Sequence, residues 1–163
     1  YLSAVALGVA KGALEAFSDI AQNKIPMLAS KSLAHRPIAQ FRMGEAEAMY
    51  RSCRSWLMET MEAVEDELRE GADFPGAKTT QDARLACVHA SNECMKVVDL
   101  LHNTAGTTGM RMYSPLERKL RDAHAAATHR WVAHPLYQDL GSILLGNEPD
   151  PEFAGGNGAP TAK

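Results

Sequence analysis

Residues 79–105 read Thr79-Thr-Gln-Asp-Ala-Arg-Leu-Ala-Cys-Val-His-Ala-Ser-Asn-Glu-Cys-Met-Lys-Val-Val-Asp-Leu-Leu-His-Asn-Thr-Ala105. Within this run Ala83, Cys87, Ala90, Cys94, Val97, Leu101 and Ala105 recur at steps of four and three. Side chains so spaced fall along one seam of an α-helix, the heptad-like pattern of a helix packed lengthwise against others. Thr79 or Thr80 supplies a hydroxyl for the N-cap, and Asp82 puts negative charge in the first turn. A helix with this seam wants antiparallel neighbours.

Those neighbours lie on both sides. Upstream, Leu2, Ala6, Val9, Ala13, Phe17 and Ile20 form an apolar stripe, with Lys11, Glu15 and Asp19 opposite. Gly8 and Gly12 each cost such a helix about 1 kcal/mol relative to Ala, which close approach of a neighbouring helix would explain. The helix should stop before Pro26. Residues 23–37 read as an ordered connection, long for a bundle loop. A second helix is expected from about Ile38 to Glu70, with Met49, Cys53, Trp56, Leu57, Met61, Val64 and Leu68 as its stripe. It would be about 50 Å long, so part of its length serves something beyond its own domain. Gly71-Ala-Asp-Phe-Pro-Gly76 is a turn cluster.

Downstream, two glycines in residues 106–113 break the third helix. Ser114-Pro-Leu-Glu117 then starts a fourth, with Ser as N-cap, Pro in the first helical position and Glu117 as capping-box partner. This helix is expected to run to about Ala133, before Pro135, and a short fifth from Leu136 to Leu145 ends at Gly146. Asn147 to Lys163, rich in Gly, Pro and acid, reads as a mobile tail. Runs of β-branched residues are nearly absent, so no strand is expected. The pattern predicts an all-α fold: an antiparallel four-helix bundle with a short fifth helix over residues 1–146, then the tail.

Composition bounds the function. A chain of 163 residues, 45% hydrophobic and 23% charged, suits one globular domain. Its apolar runs fall short of the ~20 residues of a membrane span. A net charge of −3 offers no basic field for a phosphate backbone, so neither membrane nor nucleic acid is expected as partner. Cys53, Cys87 and Cys94 form no CxxC pair and read as reduced thiols of a cytoplasmic protein. The chain opens on Tyr1, directly in helical periodicity and without a signal peptide, as a piece of a longer protein would.

Few constellations carry chemistry. A di-iron bundle needs Glu-x-x-His on two helices, and the nearest approach is Asp99-x-x-His102, once. His124, His129 and His134 are spaced by five, which puts them on different faces of a helix, so no metal site is expected. Cys87 and Cys94 sit on the seam, where a thiol behaves as a small hydrophobe. Two features remain. Gly106-Thr-Thr-Gly109 permits close backbone approach and offers hydroxyls and amides to an anion or a cofactor edge, or is simply a turn. His124 and His129 stand among small residues, which leaves either a cavity or tight helix packing.

Ala105-Gly-Thr-Thr-Gly109, Ser114-Pro-Leu-Glu-Arg-Lys-Leu-Arg-Asp-Ala123 and Gly141-Ser-Ile-Leu-Leu-Gly146 resemble the C-terminal helical domain of the acyl-CoA dehydrogenase superfamily. Leu7-Gly-Val-Ala-Lys-Gly-Ala-Leu14 is similar to its first long helix and Pro37-Ile-Ala-Gln-Phe-Arg-Met-Gly-Glu-Ala-Glu47 to the start of its second, in the same order. The resemblance implies an N-terminal helical domain and a β domain elsewhere in the parent chain, and assembly as a dimer or tetramer through the bundle. It also implies a flavin, FAD or FMN, held between the β domain and the bundle and touched by a neighbouring subunit. Asn103 stands where the family often has Gln, and Gly106, Thr107 and Thr108 stand in the loop approaching the flavin.

Many dehydrogenases of the superfamily carry Tyr-Glu-Gly-Thr where this chain has His129-Arg-Trp-Val132, and their Glu is the base. With no carboxylate there, the pattern looks more like the flavin-dependent monooxygenase branch, which receives reduced flavin from a separate reductase. In that branch a histidine of this region handles a proton in the oxygen chemistry of the flavin. The resemblance puts that role on His129, and a shifted register would give it to His124 or His134. An imidazole with pKa near 6.5 suits it.

The leading expectation is therefore the flavin-contacting and oligomerisation domain of a monooxygenase component, binding no flavin tightly by itself. The alternatives are the same domain of an acyl-CoA-oxidising dehydrogenase, and a non-catalytic helical assembly module.

Overall fold

The computed structural model describes residues 1–148. Among them are five α-helices and no strand: α1 (Leu2–Asn23), α2 (Pro37–Arg69), α3 (Ala77–Ala105), α4 (Pro115–Ala127) and α5 (Leu136–Leu144). Short 3-10 turns stand at Leu33–His35 and Gly106–Thr108. No helix of these residues is long and apolar enough to cross a membrane. Of the expected tail, residues 149–163 lie outside the described residues.

Tertiary hydrogen bonds fix the helix directions. Ser3 Oγ donates to the Cys87 carbonyl at 3.1 Å, and Lys24 Nζ to the Ala105 carbonyl at 2.6 Å, so α1 and α3 run parallel. The return helix α2 lies antiparallel to both, with Cys53 and Leu57 packed against Ala86 and Ala90. Next, α4 starts beside the end of α3 and runs back along it, His124 meeting Asp99 on the way. The result is an up-down-up-down bundle, as the periodicity predicts.

The core lies along α1, α3 and α4, where Phe17, Leu101, Leu116, Val97 and Val98 are fully buried. Each such side chain contributes about 1.5–3 kcal/mol of transfer free energy. Alanines at 6, 10, 13, 46, 90 and 105 are also buried, so the helices approach closely. A satellite cluster of Val88, Leu136 and Leu140 docks α5 on α3.

Two expected boundaries change, each for a tertiary reason, and one expected cap does not form. Helix α3 begins at Ala77 with Gly76 as N-cap, ahead of Thr79 and Thr80. Its cap comes from α2: the Glu67 carboxylate accepts the Gly76 N–H at 2.6 Å and the Thr79 hydroxyl. Helix α4 ends at Ala127 and not at Ala133, because the chain turns and buries Val132 against the bundle. Ser114 is the N-cap residue of α4, but no capping box forms. The Glu117 carboxylate pairs instead with Arg121 at 2.8 and 3.1 Å, and the Glu117 N–H donates to the Ser114 carbonyl at 3.2 Å, so the buried Ser114 Oγ has no hydrogen-bond partner.

Gly12 does face a neighbour, since the end of the Lys119 side chain lies where a Cβ would stand. At Gly8 nothing lies within 4 Å of that point.

Candidate functional site

The glycine turn closes the C-terminal end of α3. Gly106, the C-cap, sits at φ 60° and ψ −145°, a conformation essentially confined to glycine. Gly109 N–H donates to the Gly106 carbonyl at 2.8 Å. A Cβ on Gly109 would lie 3.0 Å from the His102 backbone oxygen, tight enough that this carbonyl would have to give by a few tenths of an ångström. The Lys24 ammonium caps the Ala105 carbonyl from α1, placing positive charge where the helix dipole is negative.

Asn103, Gly106 and Thr107 are exposed around this turn, and Thr108 is half-buried. Thr108 lines a cavity of about 410 Å3 with Asp19, Ile20, Lys24 and Pro115. Large apolar side chains surround the turn in sequence: Met110, Met112 and Tyr113 follow it, and Met27 and Leu28 follow Lys24, all exposed.

His129 stands elsewhere. It belongs to the turn after α4, not to the helix, and is exposed. Its Nδ1 accepts the Trp131 N–H at 3.3 Å, so the neutral ring carries its proton on Nε2. Its carbonyl accepts the Val132 N–H at 2.9 Å. Trp131 and Val132 line a groove of about 610 Å3 with residues of the α1 start, the α2 end and the α3 start, Leu2, Met61 and Ala83 among them. Asn92 holds this turn from below: its Nδ2 donates to the carbonyls of Val88 at 2.8 Å and Val132 at 2.9 Å.

The structure thus gathers Asn103, Gly106, Thr107 and Thr108 at one end of the bundle and leaves His129 at the other. The 13 residues of α4 separate the two places by about 20 Å. Of the other histidines, His124 Nε2 meets Asp99 Oδ1 at 2.7 Å and His134 packs edge-on against Tyr137. His89 Nδ1 lies 3.2 Å from the Tyr137 hydroxyl, and burial pushes that phenol up, keeping it a donor. Among the described residues no group of three or more His, Cys, Asp and Glu could hold a metal ion.

Two of the three thiols are poor nucleophiles. Burial pushes Cys94 up to about 12 and raises Cys53 as well, while Cys87 is half-buried.

Lys24, Glu67 and Asn92 escape a sequence reading because their partners are backbone groups or side chains on other elements. Asn92 carries one signal, standing four residues after Val88 on a helix whose neighbours surround it.

The family model described as the acyl-CoA dehydrogenase C-terminal domain matches residues 1–134. The chain belongs to that family. This acyl-CoA dehydrogenase C-terminal domain is 31% identical over 152 residues to the indole-3-acetate monooxygenase of Acinetobacter baumannii, covering 93% of this chain and 39% of that protein. It is also 31% identical over 152 residues to the oxygenase component of p-hydroxyphenylacetate 3-hydroxylase from the same species, covering 91% and 35%. The domain superposes on the solved structure of XiaF from Streptomyces sp. in complex with FADH2 and glycerol with a TM-score of 0.80. That match has 18% identity and covers 91% of this chain and 38% of the other, and it supports the fold alone. The chain spans 39% and 35% of the lengths of the two curated relatives.

Proposed function

We propose that residues 1–146 are the C-terminal, flavin-contacting and assembly domain of a two-component monooxygenase that hydroxylates a small aromatic compound in the cytoplasm. One observation carries the reading. The turn His129-Arg-Trp-Val132 presents an exposed imidazole and no carboxylate. At that place many dehydrogenases of the family keep their base, and arginine, always protonated, cannot replace it. The named activities of the two relatives, both oxygenases acting on aromatic acids, agree with it.

The reduced flavin, when bound, supplies the two electrons with which O2 delivers one oxygen atom to substrate and the other to water. In this reading His129 Nε2 holds or donates a proton beside the reacting oxygen. The turn suits a flavin at its surface. Gly106 and Thr107 expose backbone and hydroxyl, Thr108 opens on a cavity, and the Lys24 cation stands beside them.

Because α4 keeps this turn about 20 Å from His129, one flavin ring cannot rest on both within a single copy. A second copy supplies the missing half, which makes a dimer or tetramer part of the working site. The other partners are the N-terminal helical and β domains of the parent chain and a separate flavin reductase. FAD or FMN fits the reading equally.

The test uses the full-length protein that contains these residues, mixed with chemically reduced flavin and then with oxygenated aromatic acids. Hydroxylated product is expected, and His129→Asn should lower its rate by about 100-fold or more. Bleaching of the oxidised flavin by an acyl-CoA, without oxygen-dependent hydroxylation, would establish the dehydrogenase instead. Residues 1–163 alone should retain no stoichiometric flavin. Sedimentation of the full-length protein as a monomer only would contradict the shared site.

A further inference from the structure

We infer that Asn92 is a positioning residue: its side-chain amide clamps the His129–Val132 turn to α3 and thereby sets the place of His129 and the Trp131 wall of the groove. The inference rests on the proposed function for its catalytic consequence, but the clamp itself is a property of the bundle.

Asn92 is 3% exposed, in the interior of α3. Its Nδ2 donates to two carbonyls, one on its own helix and one forty residues away on the turn. Two N–H bonds diverging from one nitrogen are what only a carboxamide of this length offers here. Aspartate would set carboxylate oxygens against two carbonyl oxygens, and leucine would keep the branching at Cγ, with more bulk, but donate nothing.

Packing does not duplicate the clamp. A cavity of about 270 Å3 lies beside the turn, lined by Asn92 and Met95 of α3 and by Ala127, Thr128, Ala133 and His134 on either side of residues 129–132. Its internal bonds, His129 N–H to Ala126 at 3.3 Å and Val132 N–H to His129 at 2.9 Å, shape it without attaching it to α3. Of its side chains Val132 is buried, whereas His129 and Trp131 are exposed. Val132 is thus the residue of the turn tied to Asn92 on α3, buried through its side chain and bonded through its carbonyl. Loss of the Asn92 amide would leave the side chain alone to hold the turn, and a displacement of about 1 Å at a reacting group can cost about 100-fold in rate.

The test replaces Trp56 by Phe, which leaves Trp131 as the single tryptophan of the chain, and compares Asn92 with Asn92→Leu. With helix content unchanged, acrylamide quenching of Trp131 should rise about twofold, and amide exchange of residues 129–132 should accelerate about tenfold while Leu101 stays protected. Equal quenching and exchange in a folded Asn92→Leu chain would overturn the clamp.

If that variant fails to fold, the unaltered chain decides. Both side-chain amide protons of Asn92 should exchange with water about tenfold more slowly than those of the exposed Asn103, and equal rates would overturn the clamp. In the full-length protein the same substitution should lower product formed per O2 consumed about tenfold, with flavin affinity unchanged. A released turn with unchanged coupling would overturn the positioning role. Absence of any reaction of reduced flavin with aromatic acids in the unaltered protein would sink the proposed function, and the clamp would still be judged on quenching and exchange.

Discussion

Lys24 Nζ and the Ala105 carbonyl oxygen stand 2.6 Å apart, joining the end of α1 to the end of α3. The bond gives one of the last carbonyls of α3 a charged donor, and it does so immediately before the glycine turn. Lys24→Met keeps the stem and removes the ammonium. It should destabilise the chain by about 1–2 kcal/mol, seen as a lowered thermal midpoint, with Lys24→Arg restoring part of the loss. An unchanged midpoint for Lys24→Met would mean that the bond is replaced by water at no cost.

Glycines provide a contrast within one chain. Gly106→Ala places a Cβ at φ 60° and ψ −145° and should cost about 1–3 kcal/mol. Gly109→Ala forces the His102 carbonyl to move and should be destabilising too. Gly8→Ala meets open space inside α1 and should stabilise an isolated bundle by about 0.5–1 kcal/mol. If Gly8 instead faces a second copy, Gly8→Ala will weaken association, which sedimentation measures directly.

Glu67 makes stability depend on acid. The Thr79 hydroxyl and the Gly76 N–H hold its carboxyl below the usual carboxylate range. A depressed folded value contributes stability above the unfolded carboxyl pKa, near 4.3, and loses it as pH falls through the folded value. Glu67→Gln should therefore be less stable than the unaltered chain at pH 7. Denaturant melts should show the difference shrinking below about pH 4. A gap that is constant with pH would remove the carboxylate from the cap.

The thiols should behave in the opposite sense. Cys94 and Cys53 titrate higher when folded, so burial favours the neutral thiols, and their contribution is full below about pH 8.5 and declines above it. At pH 8 iodoacetamide should label Cys87 in the folded chain and reach Cys53 and Cys94 only on unfolding. Mass spectrometry of the alkylated peptides reads this out.

The bundle itself was legible because helical periodicity survives in nearly every segment. The spacing of Phe17 from Ala13 and of Leu101 from Val97 places the same side chains in the core that the structure buries. Legibility fades where an element is settled by a distant partner. A local rival blurs it too: Ser114-Pro-Leu-Glu117 has the letters of a capping box, yet the Arg121 guanidinium, one turn along the same helix, takes the Glu117 carboxylate. The polar run after Ala127 is compatible with helix, and it turns because Val132 finds a buried place and Asn92 finds its carbonyl.

The candidate site divides in the same way. Gly106 and Gly109 are readable as a turn, since two glycines three apart between helices permit the positive φ and the close backbone approach found there. That His129 lies a helix length away from them is a fact of three dimensions. The buried face of α3 is also wider than its seam, taking in Val88, Asn92, Val98 and His102, because a central helix has neighbours on several sides.

The uncovered methionines and aromatics at the glycine-turn end, Met110, Met112 and Tyr113 among them, also bear on how the purified chain will behave in a tube. A net charge of only −3 gives little repulsion to keep such molecules dispersed. Ammonium sulfate should bring them out of solution early, and arginine or a mild detergent should keep them clear.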